Sequence, residues 1–104
     1  MSAEIRFLFR LPAGHPCLPG HFPGRPLVPG VVLLDAVLER LGAAAGGRVA
    51  RLLRAKFSAP VAPEEAVEVV LWPAAPGRFA FRCHSGAALV LAGEAAVAPL
   101  AGPA

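Results

Sequence analysis

The sequence predicts an α+β fold in which a curled, mainly antiparallel sheet wraps around one central helix. Three observations carry this. Only residues 31–44 have the spacing of an amphipathic helix, five other stretches alternate as strands do, and the later strands are separated by short proline- and glycine-bearing turns. With 104 residues and no internal repeat, the chain reads as a single domain over residues 1–104.

Each element has its own signal. In residues 4–11, Ile5, Phe7, Phe9 and Leu11 face one way and Arg6, Leu8 and Arg10 the other, the pattern of a half-buried strand. Residues 12–30 hold six of the twelve prolines and four of the eleven glycines, which excludes a helix or an inner strand and predicts a stiff functional loop. The helix follows Pro29-Gly30. Val31, Leu34, Leu38 and Leu41 form one apolar stripe, widened by Val37, and Gly46-Gly47 ends it. In residues 49–58, Val49, Arg51, Leu53, Ala55 and Phe57 alternate against Ala50, Leu52, Arg54 and Lys56. Strands are expected at 66–72, 78–84 and 88–98, with turns at Pro76-Gly77 and Ser85-Gly86.

Composition narrows the function. Hydrophobic residues are 56% of the chain and charged residues 16%, more apolar than a small monomer needs, so a subunit interface or a lipophilic pocket is expected. No apolar run approaches the ~20 residues of a spanning helix, and the alternating, charged N-terminus does not read as a signal peptide. A cytoplasmic location is the expectation. The net charge of +3 is too small and dispersed for nucleic acid and suits an acidic partner. Cys17 and Cys83 read as small apolar residues, and His15, Cys17 and His84 lack zinc-ligand spacing, so no metal is assigned.

Three positions carry chemistry. Asp35 falls inside the helical stripe. Burial among leucines would favour its neutral form, a usable general acid, whereas an aspartate at the edge of the stripe would be an ordinary surface residue; periodicity does not separate the two. His21 lies in Gly20-His21-Phe22-Pro23-Gly24, where the stiff backbone suits a positioned base and equally a hydrogen-bonded loop histidine. Gly30 opens the helix, whose first amides are unpaired and lie at the positive end of the dipole, able to hold an oxyanion. Glycine is also an ordinary first residue of a helix. An acid, a base and an oxyanion donor around an apolar pocket suit proton abstraction beside a carbonyl, followed by loss of hydroxide from the β-carbon.

The run His21-Phe22-Pro23-Gly24-Arg25-Pro26-Leu27-Val28-Pro29-Gly30-Val31-Val32-Leu33-Leu34-Asp35-Ala36 closely resembles the signature of the FabA/FabZ-type 3-hydroxyacyl-acyl carrier protein dehydratases, with its acidic residue fourteen positions after the histidine. The resemblance implies a hotdog fold and an obligate homodimer, or an oligomer of such dimers, with two active sites at the interface. His21 falls on the family's catalytic histidine and Asp35 on its acidic partner from the other subunit. Gly30 falls on the glycine whose amide binds the thioester carbonyl, and Phe22, Pro23, Pro26 and Val31 on positions that shape the pocket. It further implies a lyase of fatty acid or polyene-type biosynthesis, acting without a cofactor on acyl chains linked through phosphopantetheine to an acyl carrier protein. Aspartate at position 35 follows the FabA branch, Glu39 replaces a glutamine frequent in the FabZ branch, and the short N-terminal segment resembles the minimal dehydratases of aryl-polyene clusters, the ApeI-like type. Arg48, Arg51, Arg54 and Lys56 cluster on one strand and either dock the acidic carrier or form a solvated face. The rival readings are a non-catalytic hotdog subunit that binds acyl chains or pairs with a catalytic relative, which usually lacks one of the two catalytic residues, and a thioesterase of the same fold.

Overall fold

The computed structural model describes residues 4–14 and 27–99. Within them the chain forms β1 (Ile5–Phe9), α1 (Gly30–Ala44), β2 (Gly47–Phe57), β3 (Val67–Ala75), β4 (Arg78–Ser85) and β5 (Ala88–Pro99). The strands make one fully antiparallel sheet in the order β1-β3-β4-β5-β2, with α1 packed on its inner face. The expected α+β arrangement is therefore present, with the short strand β1 and the long strand β2 at the two edges.

Alternation sets the inner face. Cross-strand register aligns Phe7, Val69, Cys83, Leu91 and Phe57 in one row that crosses all five strands. A neighbouring row runs Ile5, Leu71, Phe81, Gly93 and Ala55. From the helix, Leu33, Val37 and Leu41 complete the core, each essentially fully buried. Burying three such side chains contributes on the order of 1.5–3 kcal/mol apiece. The Arg40 guanidinium stacks 4.4 Å from the centre of the Phe7 ring and ties the helix to β1.

Two local readings need correction. The expected stripe is rotated rather than absent: its members Val37 and Leu41 lie inside together with Leu33, whereas Leu34 and Leu38 are half-buried against the core and Val31 is 66% exposed. The first turn is apolar on all sides, so periodicity alone leaves its inner face undecided. Gly46, at φ +66°, is the left-handed residue that stops the helix, whereas Gly47 already belongs to β2. In β3 the strand runs on through Pro73. Pairing with β1 has ended by Leu71, so the missing amide there costs no ladder bond on that side.

Strand β2 departs from strict alternation through two bulges, between Val49 and Arg51 and between Leu52 and Arg54. Arg48, Arg51, Arg54 and Lys56 consequently stand opposite Ala98, Ala96, Glu94 and Ala92, every second residue of β5. All four cations share the outer face, whereas simple alternation sets Arg51 on the opposite face from Arg54 and Lys56.

Cys83 sits in the inner row, and burial pushes its thiol up to about 12 from an ordinary 9.0. A thiol held protonated is a poor nucleophile. Native protein treated with iodoacetamide is expected to leave Cys83 unlabelled by peptide mass spectrometry until denaturant is added; labelling of Cys83 in buffer would contradict the packed inner row.

Candidate active site

The site is built where α1 begins. Pro29 is the N-cap, offers no side-chain cap, and no acidic residue occupies the first turn. The Val32 amide donates to the Pro29 carbonyl at 3.0 Å, whereas the amides of Gly30 and Val31 have no partner among the described residues. Uncapped amides at the positive end of a helix dipole are anion-binding groups.

Gly30 also lines an apolar cavity of about 660 Å³, within the usual range for small-molecule sites. Its wall runs from Leu27, Val28, Pro29, Gly30 and Leu33 to Phe57, Ser58, Ala59, Pro60, Val61 and Val90. The Phe57 ring lies directly over Gly30. A β-carbon there would stand 2.7, 3.0 and 3.1 Å from the ring's Cε1, Cζ and Cδ1, so only glycine fits without moving the ring.

The connection between β2 and β3 holds both described ends of the proline-rich loop. The Val28 amide donates to the Val61 carbonyl at 2.8 Å. On the other side the Glu64 amide donates to the Leu11 carbonyl at 2.8 Å, and the Glu64 carboxylate accepts from the Ala13 amide at 2.9 Å and from Arg10 at 2.5 Å. Glu64 does this from φ +68°, an uncommon conformation for a residue with a side chain. Beside it, the Ser85 hydroxyl and then the Ala62 amide, at 3.1 Å, hold the Glu65 carboxyl below the usual carboxylate range.

The residues predicted from sequence divide into three groups. Gly30 is at the cavity rim. Asp35 lies in the next turn, about 7.5 Å further along the axis, exposed and on the same helix face as the exposed Val31. Of the two readings left open for Asp35, a single chain therefore has the surface aspartate, and it does not itself supply the burial that would favour a neutral acid. His21, Phe22, Pro23 and Pro26 lie outside the described residues. The cations Arg48, Arg51, Arg54 and Lys56 are all exposed on the outer face, with Arg54 3.5 Å from the buried Glu94 carboxylate, which Arg78 also pairs.

Comparison with known proteins now decides the family, because a family model described as ApeI-like, ApeI dehydratase, matches residues 1–94. The chain belongs to the ApeI-like dehydratase family. The FabZ 3-hydroxyacyl-[acyl-carrier-protein] dehydratase of Haemophilus influenzae strain PittEE is 32% identical over 75 residues, which cover 62% of this chain and 51% of that protein. The FabZ of Mannheimia succiniciproducens is 38% identical over 64 residues, covering 52% and 43%. This ApeI-like chain thus spans about half the length of the curated relatives it matches. Among solved structures, the dehydratase heterocomplex ApeI:P from Xenorhabdus doucetiae superposes with a TM-score of 0.78 at 23% identity, covering 93% of this chain and 88% of that one. An uncharacterized protein from Erwinia carotovora subsp. atroseptica superposes at 0.72 and 24% identity, covering 92% and 83%. The fold is the hotdog arrangement implied by the signature.

Two residues of this site escaped the sequence reading. Phe57 read only as the last member of an alternating strand, and its place over Gly30 follows from cross-strand register. Glu64 carried no signal beyond a loop acid. Glu64→Ala is expected to cost about 1 kcal/mol in urea unfolding, mostly through the lost backbone contact since the Arg10 pair is exposed, and to speed amide exchange at Ala13; unchanged exchange there would refute the anchoring role. Glu65, its carboxyl held down in the folded state, adds stability that is complete above the unfolded value near ~4.3 and is lost as pH falls through the lower folded value. Glu65→Gln should flatten the acid limb of the stability curve, and an unaltered acid limb would exclude this contribution.

Proposed function

We propose that this chain dehydrates a 3-hydroxyacyl thioester carried on an acyl carrier protein to the trans-2-enoyl thioester, in fatty acid or polyene-type biosynthesis in the cytoplasm. The observation that carries the reading is the uncapped start of α1, where Gly30, its amide without a partner among the described residues, lines an apolar cavity beside the Phe57 ring. Membership of the dehydratase family supports the reaction class.

His21 removes the α-proton of the thioester. The Gly30 amide stabilises the oxygen that gains charge as the enolate forms, an interaction worth about 2.7–4 kcal/mol for one well-placed donor. Asp35 delivers a proton to the β-hydroxyl, the C–O bond breaks, and water leaves as the α,β double bond forms. The thioester already acidifies the α-carbon, so the chemistry needs no cofactor.

The working unit is a homodimer in which His21 of one protomer faces Asp35 of the other. The exposed Val31, beside the half-exposed Phe57, is apolar surface next to the site, and β2 is an edge strand among the described residues. A second copy on that face would take Asp35 out of bulk water. The four outer-face cations of β2 receive the acidic carrier. A second reading, a subunit that pairs with a catalytic relative, draws support from the solved neighbour being a heterocomplex.

Mass spectrometry of 3-hydroxyacyl carriers separates the readings. The wild-type protein is expected to remove water from the acyl chain, and His21→Ala and Asp35→Asn to fold normally but lose at least about a hundredfold in rate. Release of free acid would indicate a thioesterase, and an unaltered acyl chain a binding subunit. Carrier affinity should fall with added salt and in Arg51→Ala/Lys56→Ala; salt-independent binding would exclude the cationic face as the docking surface.

A further inference from the structure

Building on the dehydratase reading, we infer that the Phe57 ring is the specificity-determining residue for acyl chains unbranched next to the thioester. It sets the width of the slot through which the first acyl carbons reach the Gly30 amide.

The geometry is restrictive. Three ring atoms lie within 3.1 Å of the position a Gly30 β-carbon would take, so an edge of the ring, and not one flexible tip, rests on the helix start. The ring's backbone is held from two sides. Phe57 is paired with Leu91 at the end of the inner row, and the next amide, Ser58, donates to the Val90 carbonyl at 2.7 Å. Beyond it Pro60 stiffens the chain, and the Val28–Val61 bond closes the far wall. Phe57 nonetheless lines the cavity, so a ligand bound there meets it.

A carbonyl oxygen bound by the Gly30 amide brings the α-carbon under this ring. An unbranched chain presents only hydrogens there. A methyl branch on the α-carbon adds a group where the ring already occupies the space, yet it leaves one α-proton, so such a substrate stays chemically competent for loss of water. Discrimination then comes from fit alone, and one methyl group in an apolar site is worth roughly ten- to two-hundredfold.

The test measures kcat and KM separately for length-matched 3-hydroxyacyl and 2-methyl-3-hydroxyacyl thioesters of N-acetylcysteamine, which avoid the carrier surface. Wild-type protein is expected to favour the unbranched substrate by about tenfold or more in kcat/KM. Phe57→Leu should shrink that preference and Phe57→Ala reduce it to within roughly threefold, chiefly by raising turnover of the branched substrate. A readout independent of activity is thermal unfolding: Gly30→Ala should lower Tm, and adding Phe57→Ala should restore part of the loss, because the clash is removed. If both Phe57 variants dehydrate the unbranched substrate with the wild-type preference intact, the inference is overturned while the dehydratase reading stands. If wild-type protein forms no enoyl product from either substrate, the dehydratase reading falls and takes this inference with it.

Discussion

A single helix has to serve two surfaces, and the rest of the molecule follows from how it divides them. Leu33, Val37 and Leu41 are committed to the sheet and leave no freedom to rotate the helix about its axis. Val31 and Asp35, one turn apart, are thereby fixed outward. Glu39, one turn further on, is exposed on the same side. The burial of one side of α1 thus leaves the other as the face on which the proposed second copy would sit.

The same division leaves large apolar side chains at the surface of the single chain. Val31 and Phe57 are substantially exposed, Val31 in the first turn of the helix and Phe57 against Gly30. The connection between β2 and β3 contributes through position and not through chemistry. It holds Val28 on one side and Leu11 and Ala13 on the other, and its residues Ser58, Ala59, Pro60 and Val61 form one wall of the cavity.

Much of this was legible in the sequence. All five strands and the helix were recognisable because alternation and helical spacing report burial directly, and the signature at residues 21–36 named the family. The misreadings share a cause. The inner side of α1 was misassigned because its first turn is apolar all round, so the choice rests on sheet curvature, which no local pattern encodes. The outer-face alignment of Arg51 with Arg54 and Lys56 depends on two bulges in β2, each inserting one residue into the count. Phe57 over Gly30 is a contact between residues far apart in the chain, set by the pairing of β2 with β5. Local spacing has no access to any of the three.

The most direct test of a site shared between two chains is complementation. His21→Ala and Asp35→Asn proteins, each inactive alone, are denatured together, refolded and assayed for dehydration. A two-fold dimer gives mixed species in which one site carries both substitutions and the other carries neither. The account predicts that activity returns on mixing, in proportion to the mixed dimer separated by differential tagging. Activity that stays absent in purified mixed dimers would contradict it, since a site built within one chain is broken in both partners.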